Sequence, residues 1–154
     1  MIKDVSALLA AHPVFAGMAS DRLDFVAGCG WNVQFLAGEA IFRFGEHADR
    51  FFMLRSGTVS IEIRPPTGPT HRIETLGAGE VLGWSWLYPP YTWQFDARAM
   101  TDVRATAFDG TCLRDKCEQD PSLGYELMKR FARVVTARLQ ATRLQLLDVY
   151  GTPG

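Results

Sequence analysis

"IFRFGEHADRFFMLRSGTVSI", residues 41–61, decides how the chain is read. IFRF and FFMLR are aromatic-rich segments too short for helices, and each runs into a turn, FGEHAD or RSGT, that carries a glycine. A third apolar segment, VSI, begins at once. Short apolar runs bounded by Gly, Asp and Ser read as strand, turn, strand. The same rhythm extends outward in both directions, from Trp31 to Asp109: WNVQFL, AIFRF, FFMLR, VSIEIR, HRIETL, EVLGW, FDARAM and VRATAFD. Eight strands so closely spaced predict a β-sandwich or barrel-like roll. Gly38, Gly45, Gly57 and Gly79 suit turn positions with positive φ. RPPTGPT cannot pair on both sides and reads as a surface hairpin tip.

Beyond the strands the period changes to helical. Val5, Leu8 and Leu9 mark a short helix over residues 2–12, ended by Pro13. Ser20 reads as the N-cap of a second helix, with Asp21 in its first turn and Gly28 and Gly30 stopping it. After Pro121, residues 122–149 hold no proline, and their one glycine, Gly124, lies near the start. They predict a helix of roughly 42 Å. Met128, Phe131, Val135, Leu139, Thr142, Leu146 and Val149 form one stripe. Leu127, Val134, Ala141 and Leu144 form another. One stripe can cover the roll, and the other either asks for a second copy of the chain, the reading preferred, or belongs to one wide apolar face packed within the monomer. The fold class expected is therefore mostly β with flanking helices: a jelly-roll or double-stranded β-helix, then a long C-terminal dimerisation helix. It forms a single domain, 1–154, with N-terminal helices over 1–30, the roll over 31–110 and C-terminal helices over 111–150.

Composition narrows the function. The 154 residues are 47% hydrophobic, with 16 Lys and Arg against 17 Asp and Glu. A formal net charge of −1 argues against a nucleic-acid surface, which needs a basic face. No apolar run approaches the roughly 20 residues that span a bilayer, and the start is no signal peptide. A cytoplasmic protein without membrane contact is expected. Cys29, Cys112 and Cys117 read as reduced structural thiols, and His12, His47 and His71 as scattered surface or capping residues. Neither group has metal-ligand spacing. GWSWL lacks the second glycine of a nucleophile elbow, and no phosphate-cradling Walker loop occurs. No catalytic residue, no metal and no required cofactor are expected.

Three segments in order, residues 41–61, LGAGEVLG (76–83) and ARAMTDVRATAFD (97–109), resemble the cyclic-nucleotide-binding domain family, which includes catabolite-activator-type (Crp/Fnr-like) regulators. The resemblance runs from about Leu8 to Val149. It implies a phosphate-binding cassette: a strand, a short helix and a loop whose amides and Arg hold a cyclic phosphate, with a Glu on the ribose. Carried onto this chain, it implies that Gly79 and Glu80 take the ribose end. Val81, Leu82, Gly83 and Ser85 belong to the cassette, with residues 82–86 as its helix. The phosphate-pairing Arg falls on Trp93, and the next position on Gln94. A charge-assisted contact of about 1.5–3 kcal/mol is thereby missing. Arg98, on the following strand, is a substitute if it faces inward. Thr142 and Arg143 fall on base-contacting positions of the last helix.

The resemblance implies a regulatory domain that binds a small effector, with cyclic AMP (cAMP) or cyclic GMP as the ligand. It would signal through the last helix as a homodimer over residues 122–149. Two alternatives stand beside it. One is a degenerate roll serving as a dimerisation or docking module. The other is a sensor of a different ligand, such as haem, that uses Trp84, Trp86, Tyr88, Tyr91 and Trp93. In transcription-regulating members a winged helix-turn-helix follows the last helix. None occurs within residues 1–154, which leaves two readings: the domain acts through a protein partner, which the near-neutral charge supports, or the chain is a fragment of a longer one.

Overall fold

The computed structural model describes residues 2–150, and side chains over 5–148. Twelve elements follow one another: α1 (Ile2–Ala11), α2 (Ser20–Ala27), β1 (Gly30–Phe35), β2 (Ala40–Phe42), β3 (Arg50–Ser56), β4 (Val59–Ile63), β5 (His71–Leu76), β6 (Val81–Leu82), β7 (Asp96–Ala99), β8 (Val103–Asp109), α3 (Gly110–Gln119) and α4 (Pro121–Tyr150). All eight expected strands form. Two four-stranded antiparallel sheets, ordered β1-β8-β3-β6 and β2-β7-β4-β5, face each other as a roll.

Alternation along β3 shows how the layers are built. Successive side chains point to opposite faces. Phe51 and Met53 pack outward against Val5, Leu9, Phe15, Leu123, Leu127 and Phe131 of the helical layer. Phe52 and Leu54 point into the roll with Phe42, Val59, Leu76 and Trp93. The first sheet is covered on both faces, so FFML reads as one apolar run. The second sheet keeps a wet outer face, where Ser60 Oγ donates to Glu62 at 2.9 Å and Arg72 donates to Ser60 at 3.2 Å.

Turn glycines behave as expected: Gly38, Gly45, Gly57 and Gly79 all have φ between 85° and 91°. Gly57 is the most constrained, because a Cβ there would lie 2.3 Å from the Asp102 carbonyl oxygen. The tip over 64–70 joins β4 to β5 at the surface.

Three expectations need correction. Ser20 is the first residue of α2, and Ala19, which makes no side-chain cap, precedes it. Cys29 and Cys112 are joined in a disulfide across 83 residues, and only Cys117 is free. Two cysteines distant in sequence meet because β1 and β8 pair, setting Gly30 opposite Phe108. His12 is buried rather than at the surface, as the chain turns beneath α1.

Pro121–Tyr150 is a single helix of 30 residues, about 45 Å long. Leu123, Leu127 and Phe131 are buried against the sheet. Beyond Phe131 only Val134 and Arg138 are partly covered. Val135, Leu139, Leu144, Leu146 and Leu147 are exposed. The side chain of Val149, last in its stripe, lies outside the described residues.

Candidate functional site in the roll and its cassette

Residues 76–99 leave β5, cross the roll's mouth and return as β7. Turn chemistry fixes the entry. The Gly77 amide donates to Glu80 Oε2 at 2.7 Å. The Gly79 amide donates to the Leu54 carbonyl, and the Glu80 carbonyl accepts from the Leu54 amide, both at 2.9 Å. Glu80 is thus the carboxylate of its own turn. Gly79 faces the turn after α1, where a Cβ would touch Pro13 at 3.6 Å.

The two residues of β6 then divide the layers. Val81 packs with the helical core and Leu82 with the roll interior. Gly83 follows at φ 98°, and a Cβ there would lie 2.9 Å from the Trp93 ring. This glycine makes room for the indole. After Gly83 the chain forms turns rather than the expected helix over 82–86, closed by the Leu87 amide on the Trp84 carbonyl at 3.2 Å. The indoles explain this: Trp86, 1% exposed, is drawn into the helical core, where it stacks on Phe51 at 4.9 Å. No helix N-terminus is therefore presented to an anion. Ser85 is half-buried in this turn.

Trp93 fills the roll. It is 4% exposed and lies flat on Phe42, with centroids 3.8 Å apart and planes at 8°. Its backbone donates to the Glu46 carbonyl and accepts from the Gly45 amide, both at 2.9 Å. Ala97, Ala99, Ala105 and Ala107 line the same interior, and their small side chains leave the volume that the indole takes up. A cavity of about 190 Å³ remains beside the Trp93–Phe42 stack, lined by Phe35, Ile41 and Phe52 and by the polar residues Glu46, His47, Asp49 and Arg50, with Arg50 paired to Asp49 at 3.1 Å.

The other expected contacts do not converge here. Arg98 alternates to the wet face between Ala97 and Ala99. There it donates to the Gly38 carbonyl at 2.9 Å and sits 3.6 Å from Glu62. Arg98 therefore cannot replace the missing guanidinium inside the roll. Gln94 is exposed and bonds Thr92. Thr142 and Arg143 are exposed on α4.

One residue escaped the sequence reading. Arg138 of α4 folds back on the cassette, donates to the Val81 carbonyl and lies 4.0 Å from Glu74. Its guanidinium carbon is 5.9 Å from the Trp84 ring centroid. Burial pushes its pKa down, while the charges of Glu74 and Glu80 push it up. The available signal was its spacing: Arg138 falls four residues after Val134 and three before Ala141, a cation on an apolar stripe. Among the described residues no cluster of His, Cys, Asp or Glu could hold a metal, and no helix is long and apolar enough to cross a membrane.

Comparison with known proteins agrees with the fold. A protein of Geobacter metallireducens, described as a cyclic nucleotide-binding protein, superposes with a TM-score of 0.78 at 28% identity, covering 87% of this chain and 97% of the other. A cyclic nucleotide-binding domain from Methylobacillus flagellatus shares the fold at a TM-score of 0.80 and 15% identity, over 99% and 85% of the two chains. The CRP-like cAMP-activated global transcriptional regulator of Mycobacterium tuberculosis is 28% identical over 145 residues, 94% of this chain. The chain spans 63% of that regulator's length. The model of the cyclic nucleotide-binding domain matches residues 32–120, more than half of the chain, and the protein belongs to that family.

Proposed function

We propose that this domain is a non-catalytic effector switch, homodimeric through α4, in which Trp93 occupies the effector's place until it is displaced. The observation that carries this reading is the Arg138 contact. A side chain of α4 holds the Val81 carbonyl at the start of the cassette, so movement in the roll has a direct route to the helix. A two-state shift of this kind needs an element that both ends can bias, and the cassette is that element.

The effector class follows from charge. Arg98 points outward, Trp93 stands where the family's resemblance expects a guanidinium, and Glu80 is engaged by Gly77. Arg50, which lines the cavity, is already paired with Asp49 at 3.1 Å, so a cyclic phosphate in the roll would lack a free partner worth about 1.5–3 kcal/mol. An effector less anionic than cAMP or cyclic GMP fits the aromatic interior better. The second reading, a closed roll used only for docking, has the tight Trp93–Phe42 stack in its favour.

Removing the indole imitates its displacement. Trp93→Leu, with Trp93→Ala as the larger deletion at a cost of about 3–5 kcal/mol, is expected to raise amide exchange along residues 132–148. Unchanged exchange there in a folded variant overturns the switch and leaves the docking module. Tryptophan emission of the wild type is expected to stay constant on titration with cAMP and cyclic GMP. A saturating response at micromolar cAMP would overturn the effector class but not the switch.

A further inference from the structure

On the side of the molecule where α2 meets the first half of α4, a cleft of about 450 Å³ opens among Arg22, Ser122, Glu126, Lys129, Arg130 and Arg133. It gathers four cations around one carboxylate, on a chain whose formal net charge is −1. The remainder of the chain therefore carries 12 Lys and Arg against 16 Asp and Glu, a net negative balance opposite in sign to the cleft.

The cleft is built. Arg22 donates to Glu126 Oε1 at 2.6 Å and to Ser122 Oγ at 2.8 Å. Arg130 donates to Glu126 Oε2 at 3.0 Å and to the carbonyls of Val14 and Ala16 at 2.9 Å each. Two guanidiniums are thus fixed on either side of Glu126. Burial pushes the Glu126 carboxyl up, and hydrogen bonds from Arg22 and Arg130 outweigh it, so its pKa lies below the usual range. Lys129 and Arg133, by contrast, are exposed. Neither has a carboxylate partner in an ion pair among the described residues.

We infer that this cleft docks an acidic segment of a partner protein, whose carboxylates pair with Lys129 and Arg133 beside the Arg22–Glu126–Arg130 array. Glu126 already shows how a carboxylate sits between these guanidiniums, and the open cations are the ones a partner can reach without breaking that array. A nucleic-acid backbone fits less well. The cations occupy one compact cleft rather than a stripe that could follow successive phosphates, and a carboxylate stands at its centre. The inference is independent of what fills the roll.

The test uses the whole chain and a fluorescein-labelled deca-glutamate peptide, read by anisotropy. Saturable binding is expected, weakened about tenfold or more in the Lys129→Glu, Arg133→Glu double variant. A control with the same change in net charge, Arg43→Glu with Arg104→Glu on other surfaces, is expected to change affinity less than about twofold. Circular dichroism melting checks that each variant folds. Equal losses in both variants, or no saturable binding by the wild type, overturn the docking site. Tighter binding of a single-stranded deoxyoligonucleotide of equal charge overturns the choice of partner, and so does full displacement of the peptide by equimolar pyrophosphate.

Discussion

His12 illustrates how burial sets one residue's chemistry. It follows α1, is 6% exposed, and accepts a hydrogen bond at Nδ1 from the Val14 amide at 3.3 Å. Its Nε2 has no partner, and burial holds its pKa below 6.5. As pH falls through about 6.5, the unfolded chain takes up a proton that the folded chain refuses, so the unfolded state gains. Stability is complete above that pH and declines below it. Glu126 works in the same sense, but in the lower, carboxylate range, because its folded pKa is depressed. The urea midpoint is therefore expected to fall between about pH 7 and about pH 5.5, above the carboxylate window, and to fall less in His12→Gln. Equal slopes in the two proteins would assign the pH dependence to another group.

At the scale of elements, α4 is held in two ways. Its first half is anchored by Leu123, Leu127 and Phe131 in the helical core. Its second half is held to the roll through Arg138. Arg138→Ala leaves the Val81 carbonyl without this donor and removes the Glu74 ion pair, at an expected cost of about 1–3 kcal/mol. Urea denaturation reads the cost. Faster exchange over 132–148, with 121–131 unchanged, locates it. The disulfide is a second tie between elements: Cys29–Cys112 links the turn after α2 to the start of α3, and closing a loop of that length contributes about 4.5 kcal/mol in the chain-entropy account.

For the whole molecule, the exposed stripe on α4 is the decisive surface. Val135, Leu139 and Leu146 are 44%, 48% and 51% exposed, and they repeat at the spacing of a helix-pairing face. A second copy laid along this stripe would bury it. The chain is expected to sediment as a dimer at micromolar concentration, and the Leu139→Glu, Leu146→Glu double variant as a folded monomer. A monomeric wild type would remove the dimer from the proposed switch. The charged cleft draws on residues 122–133 of α4 and the stripe on Val135, Leu139 and Leu146, so the Lys129, Arg133 and the Leu139, Leu146 variants test docking and pairing with different side chains.

The sequence by itself determined the order of elements. Strand and helix periods, turn glycines and the Pro121 boundary are local properties, written within a few residues of where they act. All eight strands and the long helix were legible for that reason. The cassette was only half legible. Its place in the chain followed from Gly77 to Gly83, but the direction each side chain takes depends on what lies across the fold. Arg98 turned outward because β7 pairs with β4 and sets Ala97 and Ala99 inside. Glu80 was taken up by Gly77, and Trp86 was drawn into the helical core. Trp93 reached Phe42 because Gly83 and the interior alanines left it room. The Cys29–Cys112 bridge, the Arg138 contact and the basic cleft join residues from 57 to 116 positions apart. No local pattern encodes such pairs. They exist only once the sheets have closed and α4 lies across them.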